Sequence, residues 1–178
     1  MEQFIQLIRI KIFSLHKRFN VFLVNTIFSG TKSKNFEKKR KLLNAVGYSV
    51  GKNTKIVGPI EWNCEVQIGD NCWIGKNNRM IGGGKVIIGN NCDIATDIMF
   101  ITGSHKVGNP NRRAGWGENH LITIGNGVWI GARSTIVNNI KIGDSCVVAA
   151  CACVTKDFED NMLIGGVPAK VIRELKDD

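Results

Sequence analysis

The sequence is short of the residues that most often decide a chemistry. Among 178 residues there are three histidines, three prolines and one tyrosine. A zinc centre built on histidine needs three imidazoles on one ion. Here His16 sits in a basic apolar segment, remote in sequence from His105 and His120, so no metal is expected. The six cysteines contain no CxxC pair, and Cys151 with Cys153 is a lone CxC, which argues against both a zinc ribbon and a disulfide framework. Reduced structural cysteines in a cytoplasmic protein are the expectation. A long uncharged apolar run is also missing. Residues 1–28 are rich in Phe, Ile, Leu and Val, but Arg9, Lys11, His16, Lys17 and Arg18 break every window long enough to cross a bilayer. Those charges, and the lack of a small-residue cleavage site, also argue against a signal peptide.

Acid is scarce at one end only. Residues 1–48 hold ten Lys/Arg against Glu2 and Glu37, a balance of +8, whereas residues 49–178 come to +1. The basicity therefore belongs to an N-terminal arm, residues 1–48. The arm lacks the aromatic platform or motif of a nucleic-acid binder, and no nucleic-acid partner is expected. Two readings of residues 1–28 stay open. They form helices that pack on the body or on a neighbouring subunit, or a basic amphipathic segment lying on an anionic membrane surface, which would put the protein at the inner face of the membrane. Residues 29–35 read as a linker, and the pattern predicts a short helix over about 36–46 that ends near Gly47.

What the rest of the chain has is a ladder. Val50, Ile56, Trp62, Ile68, Ile74 and Met80 are spaced by six, as are Ile88, Ile94 and Phe100, and then Ile124, Ile130, Ile136, Ile142 and Val148. Glycine follows the apolar residue at 51, 69, 75, 89, 125, 131 and 143. A period of six fits neither a helix nor an alternating strand. It fits short strands joined by tight turns, three to a coil, stacked as a parallel β-helix. The predicted fold is all-β: a left-handed parallel β-helix of about five coils over residues 49–160, an N-terminal helical arm, and an extension over 161–178 with a C-terminal helix begun after Pro168. Cys72, Cys92 and Cys146 share a phase with Val66, Val128, Ser134 and Ala152, a slot for small side chains. The ladder breaks twice. At 81–87 the register slips by two residues through Gly82-Gly83-Gly84, read as a bulge-like corner. Residues 106–122 form a long excursion with no repeat pattern, after which the ladder resumes in register at Ile124. A long loop leaving a rigid scaffold is where function concentrates.

Four segments carry a resemblance. They are Ile101-Thr102-Gly103-Ser104-His105, Ile124-Gly125-Asn126-Gly127-Val128-Trp129-Ile130-Gly131, Val154-Thr155-Lys156-Asp157, and Gly165-Gly166-Val167-Pro168-Ala169-Lys170-Val171-Ile172-Arg173. Together they resemble the hexapeptide-repeat O-acetyltransferases, the group of galactoside and maltose acetyltransferases and of capsule or polysaccharide acetyltransferases. The resemblance implies acetyl-CoA as co-substrate and a homotrimer with active sites between neighbouring prisms.

His105 is the candidate catalytic residue, because it closes the last hexad before the excursion. An imidazole, with an ordinary pKa of about 6.5, is a competent base near neutrality. It would take the proton of a sugar hydroxyl as that oxygen attacks the acetyl thioester. The resemblance makes Trp129 an active-site aromatic, and Trp116 in the excursion is placed to stack on a sugar ring. It also carries coenzyme A contacts onto Ala132 and Ala150, where small side chains admit the pantetheine arm, and onto Thr155, Lys156, Lys170 and Arg173, whose cations suit phosphate. Galactoside- and maltose-type enzymes place an acceptor-binding Asn where this chain has Gly75 and an acidic contact where it has Gly83. Asn77 and Asn78 are near enough to substitute. The expected acceptor is therefore a hydroxyl of a cell-surface polysaccharide or its precursor. A small-molecule acceptor, N-acetylation of a nucleotide-linked amino sugar, and a non-catalytic binding scaffold remain as alternatives.

Overall fold

The computed structural model describes residues 2–176, so Met1 at the head of the arm and Asp177–Asp178 at the end of the extension lie outside it. From Ser49 onward the hexads form a parallel β-helix with three walls. The first wall stacks strands Ser49–Val50, Glu65–Ile68, Lys85–Ile88, Leu121–Ile124 and Ile140–Ile142. The second stacks Lys55–Ile56, Trp73–Ile74, Asp93–Ile94, Trp129–Ile130, Val147–Val148 and Met162–Gly166. The third stacks Ile60–Trp62, Asn78–Ile81, Met99–Ile101, Thr135–Val137 and Cys153–Val154. This makes five complete coils and the start of a sixth.

The ladder residues are the core. All fourteen are buried, and so are Cys72, Cys92 and Cys146 in the small-residue slot. Each meets its equivalent in the next coil: Ile56, Ile74, Ile94, Ile130, Val148 and Ile164 form one unbroken column. Trp62, Met80, Phe100, Ile136 and Val154 form another. Columns of identical shape fix the strand register, since a slip of one residue would turn every apolar side chain outward.

The corners explain the glycines. Between the first and second walls a ladder of side chains runs from coil to coil. Asn90 Oδ1 accepts the Asp70 amide at 2.8 Å, Asn126 Oδ1 the Asn90 amide at 2.9 Å, and Asp144 Oδ1 the Asn126 amide at 2.8 Å. A Cβ on Gly69 or Gly125 would overlap the carboxamide or carboxylate oxygen of the coil above. At the corner between the second and third walls, Asn77, Asp97, Arg133 and Cys151 each take a φ between 56° and 61°, the left-handed conformation that turns the chain within one residue.

The arm is two helices, α1 (Glu2–Asn25) and α2 (Ser33–Asn44). The second starts three residues earlier than expected, inside the stretch read as linker. The C-terminal half of α1 docks on the first coil. Asn25 exchanges two 2.8 Å hydrogen bonds with the Ile60 backbone, and the Asn20 amide donates to the Leu42 carbonyl.

The C-terminal end corrects the sequence reading. Among the described residues no helix follows Pro168. Strand Ala169–Glu174 folds back antiparallel on Met162–Gly166, which itself pairs in parallel with Val147–Val148. The coil stack therefore runs to Gly166 rather than ending at 160, and residues 169–174 extend its second wall. Gly166 at φ 101° and Pro168 make the hairpin turn. The available strand edge, with β-branched Val171 and Ile172, overrides the local helix signal of Pro168.

Lys39 fastens α2 to the first coil from inside. Its ammonium is fully buried and donates to the carbonyls of Gly30 at 2.8 Å and Val57 at 3.1 Å. Burial lowers its pKa from the usual 10.5 to about 8. Unfolded chains keep this proton to higher pH than the folded protein does, so the site's contribution to stability rises as pH increases from about 8 towards 10.5. The urea midpoint of wild type should therefore climb relative to Lys39→Met across that window and hold a constant offset below it. A constant offset throughout would contradict the assignment.

Candidate active site

The excursion is ordered. It begins earlier than the sequence indicates and forms a two-stranded antiparallel hairpin, Gly103–Val107 against Ala114–Asn119, at the corner between the third and first walls. Its turn is closed by Asn109, whose Oδ1 accepts the amides of Asn111 at 3.1 Å and Arg112 at 3.2 Å. Its base is clamped to the body. The buried Thr102 donates its amide to the Ile81 carbonyl at 2.8 Å and accepts the His120 amide at 2.7 Å.

That clamp gives the Gly82-Gly83-Gly84 run its reason. Gly82 sits at φ 125° against Gly103. A Cβ on Gly83 would press on the Asn119 side chain, and one on Gly84 would overlap the His120 carbonyl oxygen. The run is the seat of the hairpin, not only a slipped corner.

His105 stands on the first strand opposite Gly117, exposed to solvent. Its Nδ1 lies 2.9 Å from the carbonyl oxygen of Gly115 on the facing strand. A carbonyl only accepts, so Nδ1 carries the hydrogen in the neutral ring and Nε2 keeps a free lone pair. The hairpin thus orients the ring and selects its tautomer. His105, Gly108, Asn109, Arg112, Ala114, Gly115, Trp116 and Gly117 line a cavity of about 570 Å³. Trp116 is 86% exposed, open to stack on a ring. Sequence reasoning missed Gly115: its part is played by a backbone oxygen, which leaves no side-chain signature.

Other expected site residues fall into two groups. Thr155 and Lys156 follow the third wall of the fifth coil, so they share His105's corner two coils on, roughly 10 Å along the axis. The Lys156 ammonium lies 5.5 Å from the Phe158 ring centre. Trp129 is elsewhere. It projects from the second wall, 56% exposed, between Asp93 and Val147, and shares a groove with Trp73, Asp93, Ile94 and Ala95. Ala132 and Ala150 stack at the adjoining corner, where the Cys151 amide donates to the Ala132 carbonyl at 2.9 Å. Lys170 and Arg173 are exposed on the hairpin that extends the same wall. His105 and Trp129 line separate cavities. His105 stands on the hairpin between the third and first walls, whereas Trp129 stands on the second wall. Trp73 packs edge-on against Phe36 of α2 at 6.0 Å.

The two asparagines separate. Asn78 is fully buried, its amide donating to the carbonyls of Gly75 and Ala95, both at 2.9 Å. It holds a corner and is closed to an acceptor, which corrects the sequence expectation. Asn77 is exposed, bonded to Asp97 at 2.9 Å, and faces a groove with Pro59, Glu61 and Arg79. A Cβ at Gly75 would lie 2.6 Å from the Ala95 carbonyl oxygen, so the backbone leaves no room for a side chain there, whereas at Gly83 it would meet only the Asn119 side chain. Among the described residues no cluster of His, Cys, Asp and Glu is arranged to hold a metal ion.

Comparison with known proteins agrees with this geometry. Residues 122–156 match the family model described as bacterial transferase hexapeptide (six repeats), and residues 65–97 match the hexapeptide repeat of succinyl-transferase. The chain is 33% identical over 152 residues to the galactoside O-acetyltransferase of Escherichia coli (strain K12), covering 84% of this chain and 75% of that protein. It is similar, with a TM-score of 0.79 and 28% identity, to a hexapeptide-repeat acetyltransferase of Vibrio cholerae O1 biovar eltor solved in complex with acetyl coenzyme A; 95% of this chain and 90% of that one are covered. A galactoside acetyltransferase in complex with coenzyme A gives a TM-score of 0.76 at 30% identity over 91% of this chain and 80% of that one. Hexads stacked in parallel, broken by a hairpin that carries a histidine, define a hexapeptide-repeat transferase. The chain belongs to the galactoside O-acetyltransferase family and is an acyltransferase.

Because Gly84 meets His120 backbone to backbone, Gly84→Ala should lift the hairpin base. The expected cost is about 1–3 kcal/mol of stability, with a loss of acetyl transfer beyond what thermal melting accounts for. Gly117→Ala, where an added Cβ meets nothing within 4 Å, is the control for stability and should leave the melting temperature unchanged. Equal effects from the two substitutions would refute the seating role.

Proposed function

We propose that this chain transfers the acetyl group of acetyl-CoA to a sugar hydroxyl, on a cell-surface polysaccharide or its precursor, with His105 as general base. The observation that carries this reading is the His105 Nδ1 contact with the Gly115 carbonyl, which leaves the Nε2 lone pair free in the neutral ring. The acceptor hydroxyl gives its proton to Nε2 while its oxygen bonds to the thioester carbonyl carbon. The carbon–sulfur bond then breaks, and Nε2 returns the proton to the departing thiolate. The acetyl group passes directly, with no acyl-enzyme.

Acetyl-CoA as the donor is supported by the Vibrio cholerae relative, which is described in complex with acetyl coenzyme A. The chain's own surface fits such a ligand. Ala132 and Ala150 place small side chains, half-buried and exposed respectively, at one corner, and Lys156, Lys170 and Arg173 are exposed cations for phosphate. A donor supplied by central metabolism, and six free cysteines, support a cytoplasmic location. An acceptor other than a simple galactoside is supported by the absence of side chains at Gly75 and Gly83, the first of which is closed to one by the Ala95 backbone.

The same separation of residues supports a homotrimer. His105 with Thr155 and Lys156 occupies one corner; Trp129, Ala132 and Ala150 occupy another wall and corner. A threefold arrangement brings one protomer's hairpin corner against its neighbour's Trp129 face and completes the site between chains.

His105→Ala should lower the rate of coenzyme A thiol release in the presence of acceptor by about 10²–10⁴-fold. A loss of less than about tenfold would rule out general-base action. Mixing His105→Ala with Trp129→Ala chains tests the shared site. Random reassociation of two inactive variants should restore up to about a quarter of wild-type activity, because that fraction of interfaces joins an intact histidine to an intact tryptophan. No recovery, with mixed trimers verified by mass, would place each site within one chain.

A further inference from the structure

The N-terminal half of α1 leaves the body of the protein. Its contacts with the first coil and α2 come from one side only: Lys17, whose ammonium lies 4.4 Å from the Tyr48 ring centre, together with Asn20, Val24 and Asn25. At 3.6 residues per turn the opposite side carries a row of six, Phe4, Ile8, Ile12, Leu15, Phe19 and Phe22, while Ile5, Leu7, Ile10 and Phe13 are exposed apolar side chains outside that row. All six are exposed, from 41% at Ile8 to 70% at Leu15. So many large apolar side chains in one row on a free surface mark an interaction site.

The charges beside the stripe say what covers it. Arg9 and His16 border one edge; Lys11 and Arg18 border the other. There is no Asp or Glu from Phe4 to Phe36. A second copy of this helix would set like charges against like, without the acid–base pairs that flank a helix–helix seam. A bilayer rich in anionic lipid supplies both halves of the complement, acyl chains for the stripe and phosphates for the cations. The helix is not long and apolar enough to cross a membrane, so the geometry is that of a helix lying in the interface.

We propose that α1 docks this protein on an anionic lipid surface, with the Phe4–Phe22 stripe at the acyl–headgroup boundary and Arg9, Lys11 and Arg18 against lipid phosphates. The docking stands independently of acetyl transfer. It would hold the β-helix beside a membrane, where a lipid-linked glycan is met.

The test is co-sedimentation of the full-length protein with vesicles. Wild type should bind vesicles containing phosphatidylglycerol about tenfold or more tightly than vesicles of phosphatidylcholine alone, and high salt should weaken the binding. Ile12→Asp with Leu15→Asp should abolish binding while melting temperature and oligomeric mass stay at wild-type values. Arg9→Gln with Lys11→Gln and Arg18→Gln should erase the preference for anionic lipid. Absence of wild-type binding, equal binding to both vesicles, or Asp substitutions that split the oligomer instead of releasing it from lipid would each overturn the proposal.

Discussion

Everything in this protein depends on coils stacking in register. Each strand is only two to six residues long and has no stability of its own. Its backbone groups are satisfied by the coil below and the coil above, and its inward side chain rests on an equivalent one. The column from Ile56 to Ile164 is the clearest case, unbroken through six strands of one wall. A solenoid built this way has nearest-neighbour energetics, and its rigidity comes from repetition. The Asp/Asn ladder at one corner adds a second set of coil-to-coil bonds, and it is the reason glycine so often follows the apolar residue.

Rigidity matters because the proposed chemistry stands on a departure from it. The hairpin that carries His105 is a two-stranded ribbon, which has little independent stability in water. Its precision is borrowed from the coil at its base, where Thr102 and His120 are bonded to backbone that cannot shift without disturbing the stack. The glycines at 82–84 let the two chains approach closely enough for that clamp. The ring nitrogen facing Gly115 then sets which nitrogen is free. A chain of backbone constraints, from stacked coils through the hairpin base to one carbonyl, ends in the tautomer of one histidine.

Much of this was legible in the sequence, and the failures have physical reasons. The ladder identified the core correctly, because a six-residue period admits few other folds. His105 stood out because it lies at the point where the period fails. Gly115 did not, since any residue supplies a carbonyl. Asn78 and Asn77 look alike in sequence, yet one turns inward to bond two carbonyls and the other turns outward, a difference of one position in a tight corner. The C-terminal strand was read as a helix because Pro168 is a strong local signal, whereas the edge that captures residues 169–174 is formed by coils distant in sequence. The resemblance implied Trp129 as an active-site aromatic, but its place on the second wall, away from the hairpin corner, shows only once the hexads are wound into coils.

The central claim is that, in the neutral form of the His105 ring, the hairpin keeps Nδ1 protonated and Nε2 free. The most direct test is long-range proton–nitrogen correlation on ¹⁵N-labelled protein at neutral or mildly alkaline pH, with the His105 signals assigned by their loss in His105→Gln. Predominance of the Nδ1–H tautomer is the predicted result. An Nε2–H tautomer, or free averaging between the two, would contradict it.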